Sequence, residues 1–181
     1  AGVCGSDRGI WKREAFREQI LGSLAAEKKH VRILGHEFCG EIVDVGKNVK
    51  KLNRGDFVSA ESHVVCNRCY QCTHGQKNVC TNEKILGISY NGCFAEFIQV
   101  PAHIVWKTNA GKIRPEVAAI QEPFGNAVHA ASKVRLKGKT IAIFGLGPIG
   151  LFLTLIARGM GAKRIIGLTP HAASLGMAKN P

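Results

Sequence analysis

Four of the chain's seven cysteines fall in one stretch, Cys66-Asn67-Arg68-Cys69-Tyr70-Gln71-Cys72 closed by Cys80, spaced C-x2-C-x2-C-x7-C. Nothing else in the sequence restricts the fold as much. Thiolates are soft ligands, and four of them complete a tetrahedral shell around Zn2+. The residues between are polar or basic (Asn67, Arg68, His74, Lys77, Asn78), with a turn-forming Gly75. Such a segment buries little apolar surface, so metal binding must supply its folding free energy. A pair of disulfides is the alternative. It suits secreted chains of fewer than about 100 residues, and this chain has 181. A four-sulfur shell leaves no open position, so this zinc is structural and any chemistry lies elsewhere.

The length allows one domain or two small ones, and a 45% hydrophobic content is enough for a core. The longest apolar run, residues 141–157, is broken by Gly145, Gly147, Pro148 and Gly150, and reads as strand, turn and helix, not as a membrane span. No secretory signal is read at the start, and the expected location is cytoplasmic. Net charge is +12, unevenly spread: residues 1–122 hold 17 Lys and Arg against 13 acids, while residues 123–181 hold 8 and none. A basic half fits a polyanion partner, or a half whose balancing acids are not in this chain.

In chain order, residues 1–7 read as a short polar segment around Cys4. Trp11 to Lys29 reads as one helix or two, with Phe16, Ile20, Leu21 and Leu24 on one face. Gly35-His36-Glu37 precedes a strand over Glu41–Val45. Taken with Cys4, His36 and Glu37 make a thiolate, an imidazole and a carboxylate, the ligand mixture of a catalytic zinc. Residues 50–58 read as turn and strand, and His63 stands just before the cysteine lobe. Asn91 to Val100 reads as a hairpin with strands, followed by a strand over 104–106. Cys39 and Cys93, inside apolar runs, read as core residues. A helix starts at Pro115, breaks at Glu122-Pro123 and resumes over 124–134. From local sequence alone, Glu122 reads as a solvated helix-end residue.

Residues 139–144 read as a buried strand. Gly145-Leu146-Gly147-Pro148-Ile149-Gly150 follows, then an apolar helix to about Met160 and a strand over 165–168. A G-x-G-x-x-G turn inside a βαβ unit is a dinucleotide site: the glycines give the tight turn, the close approach of pyrophosphate and the close helix packing. The acid that would hold the NAD ribose is absent from Leu168-Thr169-Pro170-His171. Thr169 and His171 in a basic field tolerate a 2′-phosphate, so NAD is read here with NADP left open.

Together these motifs resemble the medium-chain zinc-dependent alcohol dehydrogenases. Gly35-His36-Glu37-x2-Gly40-x5-Gly46-x2-Val49 matches the family's zinc signature, and the motif order is the family's. Gly92-Cys93-Phe94-Ala95-Glu96-Phe97 and Glu122-Pro123-Phe124-Gly125-Asn126-Ala127-Val128-His129 look most like the L-threonine 3-dehydrogenase branch. The resemblance implies an α/β and β architecture: a GroES-like β-barrel over 1–114, N-terminally incomplete, with its zinc lobe over 63–82. The first part of a Rossmann doubly wound parallel sheet follows over 115–181. It implies two zinc ions. The catalytic one is held by Cys4, His36 and Glu122, with Glu37 as ligand or exchanging with water; the structural one is held by Cys66, Cys69, Cys72 and Cys80. Ser6 then takes the substrate proton. Gly145, Gly147, Pro148, Ile149, Gly150 and Thr169 hold a nicotinamide cofactor, and His63 belongs to the substrate pocket. The implied reaction is hydride transfer from a secondary alcohol, threonine first, giving 2-amino-3-oxobutanoate.

The sequence departs from this pattern in four places. Gly9 stands where the family has a relay histidine, so the relay ends in water or is impaired. The segment before Gly35 is longer than in threonine dehydrogenase. The NAD acid is missing. The chain opens at the zinc cysteine and stops two strands into the nucleotide domain, and is therefore expected to be a fragment. Expected partners are a small alcohol and further copies of the chain, as dimer or tetramer, with neither nucleic acid nor membrane. The competing readings are a dehydrogenase of another polyol or sugar alcohol, an inactive zinc-binding remnant, and a zinc-stabilised nucleic-acid module.

Overall fold

The computed structural model describes residues 1–179, so positions 180–181 of the expected nucleotide domain lie outside the described residues. The chain forms two compact units, Ala1–Glu122 and Pro123–Pro181.

The first unit opens with helix α1 (Gly5–Trp11) where the sequence reads as a polar segment. The helix starts because Asp7 Oδ2 accepts the Cys4 backbone N–H at 2.9 Å, fixing the entry turn. A turn through Arg13 and Phe16, both at positive φ, leads to α2 (Arg17–Glu27). Strands β1 (Cys39–Glu41) and β2 (Phe57–Ala60) pair antiparallel, Gly40 opposite Val58. β3 (His63–Val64) pairs with β4 (Lys84–Ile85) across the cysteine lobe, which contains the one-turn helix α3 (Tyr70–Thr73). β5 (Val105–Lys107) completes a three-stranded sheet in the order β1-β2-β5, with Ser59 opposite Trp106. The sheets of this unit do not close on one another among the described residues. Phe38, Ala60, Val64, Leu86, Cys93 and Ile104 form its core.

Two expected strands are not formed. The 41–45 strand stops at Glu41, because Ile42 exchanges hydrogen bonds with the 55–56 turn: its N–H with Asp56 O (3.0 Å), its carbonyl with Gly55 N–H (2.8 Å). The 91–100 segment makes no hairpin. Its Gly92, Cys93 and Phe94 N–H groups bond instead to the carbonyls of Ile33, Gly35 and Leu34. Cys93 is buried as expected, but Cys39 is half-buried at the sheet edge, its Sγ donating to Pro115 O at 3.2 Å. Helix α4 (Pro115–Ala118) is one turn, and α5 (Gln121–Ser132) starts before Pro123. The break therefore falls at residues 119–120. Pro123 occupies the first turn of α5, where its missing N–H has no helical partner to lose.

In the second unit β6 (Thr140–Phe144) and β7 (Arg164–Leu168) pair parallel in register, Ala142 beside Ile166, joined by α6 (Pro148–Gly159). α7 (Ala172–Lys179) follows. Ala131, Leu136 and Ala157 make the core, with Ile141, Leu153, Ile156 and Ile165 packed around it. The turn from β6 needs Gly145 at φ +94, a conformation that costs most side chains 1–2 kcal/mol, as a rough figure. At Gly150 a Cβ would collide with the Gly145 carbonyl oxygen. Gly150→Ala is expected to destabilise this unit by about 1–3 kcal/mol, read as a lower midpoint in urea. An unchanged midpoint would show that the turn relaxes freely. No described helix is long and apolar enough to cross a membrane.

Candidate functional site

Three groups of metal-capable side chains form among the described residues, each with its donor atoms within 4.8 Å of one another. The first is Cys66, Cys69, Cys72 and Cys80. All seven cysteines are free, and the four lobe sulfurs converge on one point instead of joining in pairs. Backbone N–H groups already point at sulfur: Cys66 N–H to Cys80 Sγ at 3.4 Å, and Cys69 N–H to Cys66 Sγ at 3.3 Å. The Cys72 N–H, above all, draws the Cys69 thiol down to about 6. Burial, with the neighbouring thiols adding to it, pushes Cys72 up to about 12. One thiolate comes readily and a full set does not. A dication that joins them resolves that conflict, so this donor set fits zinc.

The second group is Cys4, His36 and Glu37. Gly2 N–H bonds to Glu37 O at 2.7 Å, which lays Cys4 beside the His36-Glu37 pair. His36 is buried, its Nδ1 has no hydrogen-bond partner, and its Nε2 has only a 3.5 Å contact to Ser6 Oγ. A buried imidazole with unmet bonding capacity is costly. A metal ion among a thiol, an imidazole and a carboxylate meets that capacity, and the set fits zinc.

Asp7, not singled out from the sequence, organises this group. It is 4% exposed. One carboxylate oxygen takes the Cys4 N–H; the other takes the Gly35 N–H at 3.2 Å and lies 3.7 Å from His36 Nδ1. The sequence signal was available: an acid three residues into a helix that starts at the cysteine. Gly35 itself sits where three backbones cross. A Cβ at Gly87 would lie 2.9 Å from the Gly35 backbone, and one at Gly92 would collide with the Gly35 carbonyl oxygen.

Glu122 is gathered into the third group, with Glu61 and His63. Ser62 Oγ donates to Glu122 Oε1 at 2.7 Å and lies 3.1 Å from His63 Nδ1, which is 3.0 Å from Glu61 Oε1. Glu61 and Ser62 were not anticipated, since only the β3 turn brings them to Glu122. The hydrogen bond that His63 donates to Glu61 raises the His63 pKa against the opposing effect of burial. Burial raises the pKa of Glu122, opposed by the Ser62 hydrogen bond and reinforced by the charge of Glu61. A raised carboxyl pKa means the folded state holds the proton more tightly. That stability is complete in acid and declines as pH rises from the ordinary carboxylate range through the raised value. Metal-free Glu122→Gln is therefore expected to be more stable than wild type at neutral pH, with the gap closing in acid. Urea midpoints at the two pH values test this, and a gap that widens in acid would contradict it.

In the second unit, Gly145, Gly147, Pro148 and Ile149 are exposed at the start of α6. Gly147 is its N-cap and no side chain caps it. Open space lies where Cβ atoms at Gly145 and Gly147 would be. Uncapped N–H groups beside a side-chain-free turn fit a phosphate group. Thr169 follows β7 and its Oγ1 accepts the His171 N–H at 3.2 Å.

Residues 1–110 match the family model described as the alcohol dehydrogenase GroES-like domain. The chain is 39% identical to L-threonine 3-dehydrogenase of Bacillus subtilis (strain 168), across 99% of this chain and 49% of that protein. It resembles in structure galactitol-1-phosphate dehydrogenase from Escherichia coli (TM-score 0.84, 30% identity, 99% of this chain and 49% of that one). It also resembles a short chain alcohol dehydrogenase from Escherichia coli CFT073 complexed with NADH (TM-score 0.73, 28% identity, 99% and 56%). The chain spans about half the length of the curated relatives it matches.

Proposed function

The chain belongs to the medium-chain zinc-dependent alcohol dehydrogenases, and from that membership we propose that a protein carrying it oxidises a secondary alcohol, L-threonine first, to 2-amino-3-oxobutanoate, with hydride passing to a nicotinamide cofactor. The observation that carries this reading is the group of half-buried Cys4 with buried His36 and Glu37, beside Ser6. The choice of threonine rests on the chain's similarity to L-threonine 3-dehydrogenases.

Cys4 and His36, with Glu37 or Glu122 as the carboxylate, would hold a catalytic zinc ion, and Cys66, Cys69, Cys72 and Cys80 a structural one. A bound catalytic zinc supplies Lewis acidity that ionises an alcohol hydroxyl near neutral pH. The chain's own residues do the rest. Asp7 holds the Cys4 and Gly35 backbones and flanks His36. Ser6, half-buried and next to His36 Nε2, takes the hydroxyl proton. Gly9 offers no side chain to pass it on, so water receives it. The open turn at Gly145–Gly150 would hold the cofactor pyrophosphate at the α6 N-terminus. Leu168–His171 carry no carboxylate, which leaves room for either NAD or NADP. The working protein is assigned to the cytoplasm as a homo-oligomer, dimer or tetramer.

The likeness to galactitol-1-phosphate dehydrogenase favours a second reading, a sugar-alcohol substrate. Cofactor reduction by the full-length, zinc-loaded protein separates the two. L-threonine is expected to be turned over in preference to galactitol 1-phosphate. The reverse preference would establish the second reading. Turnover of neither, with both metals bound, would mark a zinc-binding remnant.

A further inference from the structure

We propose that Arg32 is a positioning residue for the Cys4, His36 and Glu37 centre, acting by fastening helix α2 to the segment that delivers His36. This rests on the reading that the centre binds a metal. The Arg32 side chain is 2% exposed, an unusual place for a guanidinium. It grips both carboxylate oxygens of Glu27, at 3.2 and 3.3 Å, and Ser23 Oγ at 3.0 Å, all on α2. Nη1, the nitrogen that meets Glu27 Oε2, also reaches Asn91 Oδ1 at 3.4 Å, and the same oxygen accepts the Ile33 N–H at 3.3 Å. Ser23 Oγ also reaches Ile88 O at 3.1 Å. The guanidinium thus joins α2 to the 88–91 turn directly before the chain runs Ile33-Leu34-Gly35-His36.

α2 has little else to hold it. Leu24 is its one buried residue, and Leu21 is 54% exposed. Segment 33–35 is in turn fixed by N–H groups of residues 92–94 on one side and Asp7 on the other. At the crossing of Gly35, Gly87 and Gly92 there is no free space to absorb a shift. A loosened Asn91 therefore displaces the His36 backbone instead of being taken up locally. A planar fork is required: Nη1 and Nη2 together make four contacts, to both Glu27 oxygens, Ser23 and Asn91, whereas a lysine ammonium has three donors at a single point.

The test is cobalt(II) titration of metal-stripped full-length protein, followed in the visible spectrum. The tetrathiolate lobe serves as internal reference for the single-thiolate centre. Wild type is expected to bind two equivalents. Arg32→Met is expected to weaken cobalt at the Cys4 centre about tenfold or more and to alter its spectrum, with the lobe unchanged. Arg32→Lys should recover only part of the loss. Glu27→Gln removes the ion pair and keeps the shape, and should shift the same centre by less; it serves if Arg32→Met does not fold. Wild-type affinities and spectra in the folded variants overturn this inference alone. A wild type that binds cobalt only at the lobe overturns the metal-site reading, and this inference with it.

Discussion

Cys72→Ser is expected to cost the protein its lobe zinc and the order of residues 66–80 together. Cys72 is one of the lobe's two buried sulfurs and sits on α3. The lobe is fastened by the 63–64 and 84–85 ladder at its base and has almost no core of its own. Structural zinc supplies about 10–16 kcal/mol in small metal-folded modules, and three sulfurs plus a hydroxyl forfeit much of it. Metal analysis should show one zinc fewer, and limited proteolysis should cut within 66–80, where wild type resists. A variant that kept its zinc and its resistance would mean the lobe folds by packing, against the composition of the loop.

Cys4→Ser should do the opposite: it should remove the other metal and the turnover, and leave the lobe intact. Cys4 contributes the soft ligand of its group, and its backbone is already fixed by Asp7, so the hard hydroxyl replaces the thiolate without disturbing α1. Metal assistance is worth several kcal/mol of transition-state stabilisation, so on the proposed dehydrogenase reading the full-length protein should lose at least about a thousandfold in rate. Zinc content read with the rate makes the test specific. Loss of both zinc ions together would count against two separate sites.

The lobe was fully legible in the sequence because its four ligands share one short loop, and spacing alone determines which sulfurs meet. The strand–turn–helix around Gly145 was legible for the same reason: strand, glycines and helix are contiguous from residue 140 to 159. The Cys4 centre was only partly so. Its candidate ligands Cys4, His36 and Glu37 could be named, but Asp7, which bonds to Cys4 and Gly35, acquires its role only when residues 4 and 35 meet. Glu61 and Ser62 likewise matter because the turn into β3 brings them to Glu122. Strand propensity misled at 42–45 and 94–100. Ile42, Val43, Phe97 and Ile98 suit a pleated sheet, but a strand also needs a partner, and the backbones here bond to the 55–56 turn and to residues 33–35. The break assigned to Glu122-Pro123 came from a local rule about proline that does not exclude the first turn of a helix.

The glycine crossing also determines where this chain can change length. Gly35, Gly87 and Gly92 bring three backbones together with no side chain between them. A residue added or removed in 33–37, 86–88 or 91–94 would move the crossing and the His36 backbone with it. Residues 12–31 leave α1 and return at Arg32 over the surface, where Trp11 and Val31 are 84% and 74% exposed. Extra residues can accumulate there without reaching the metal ligands, provided that Arg32 still fastens the returning end. Homologous enzymes could therefore be fitted with longer or shorter excursions at this one position, and the natural place to graft a new recognition element is the 12–22 stretch.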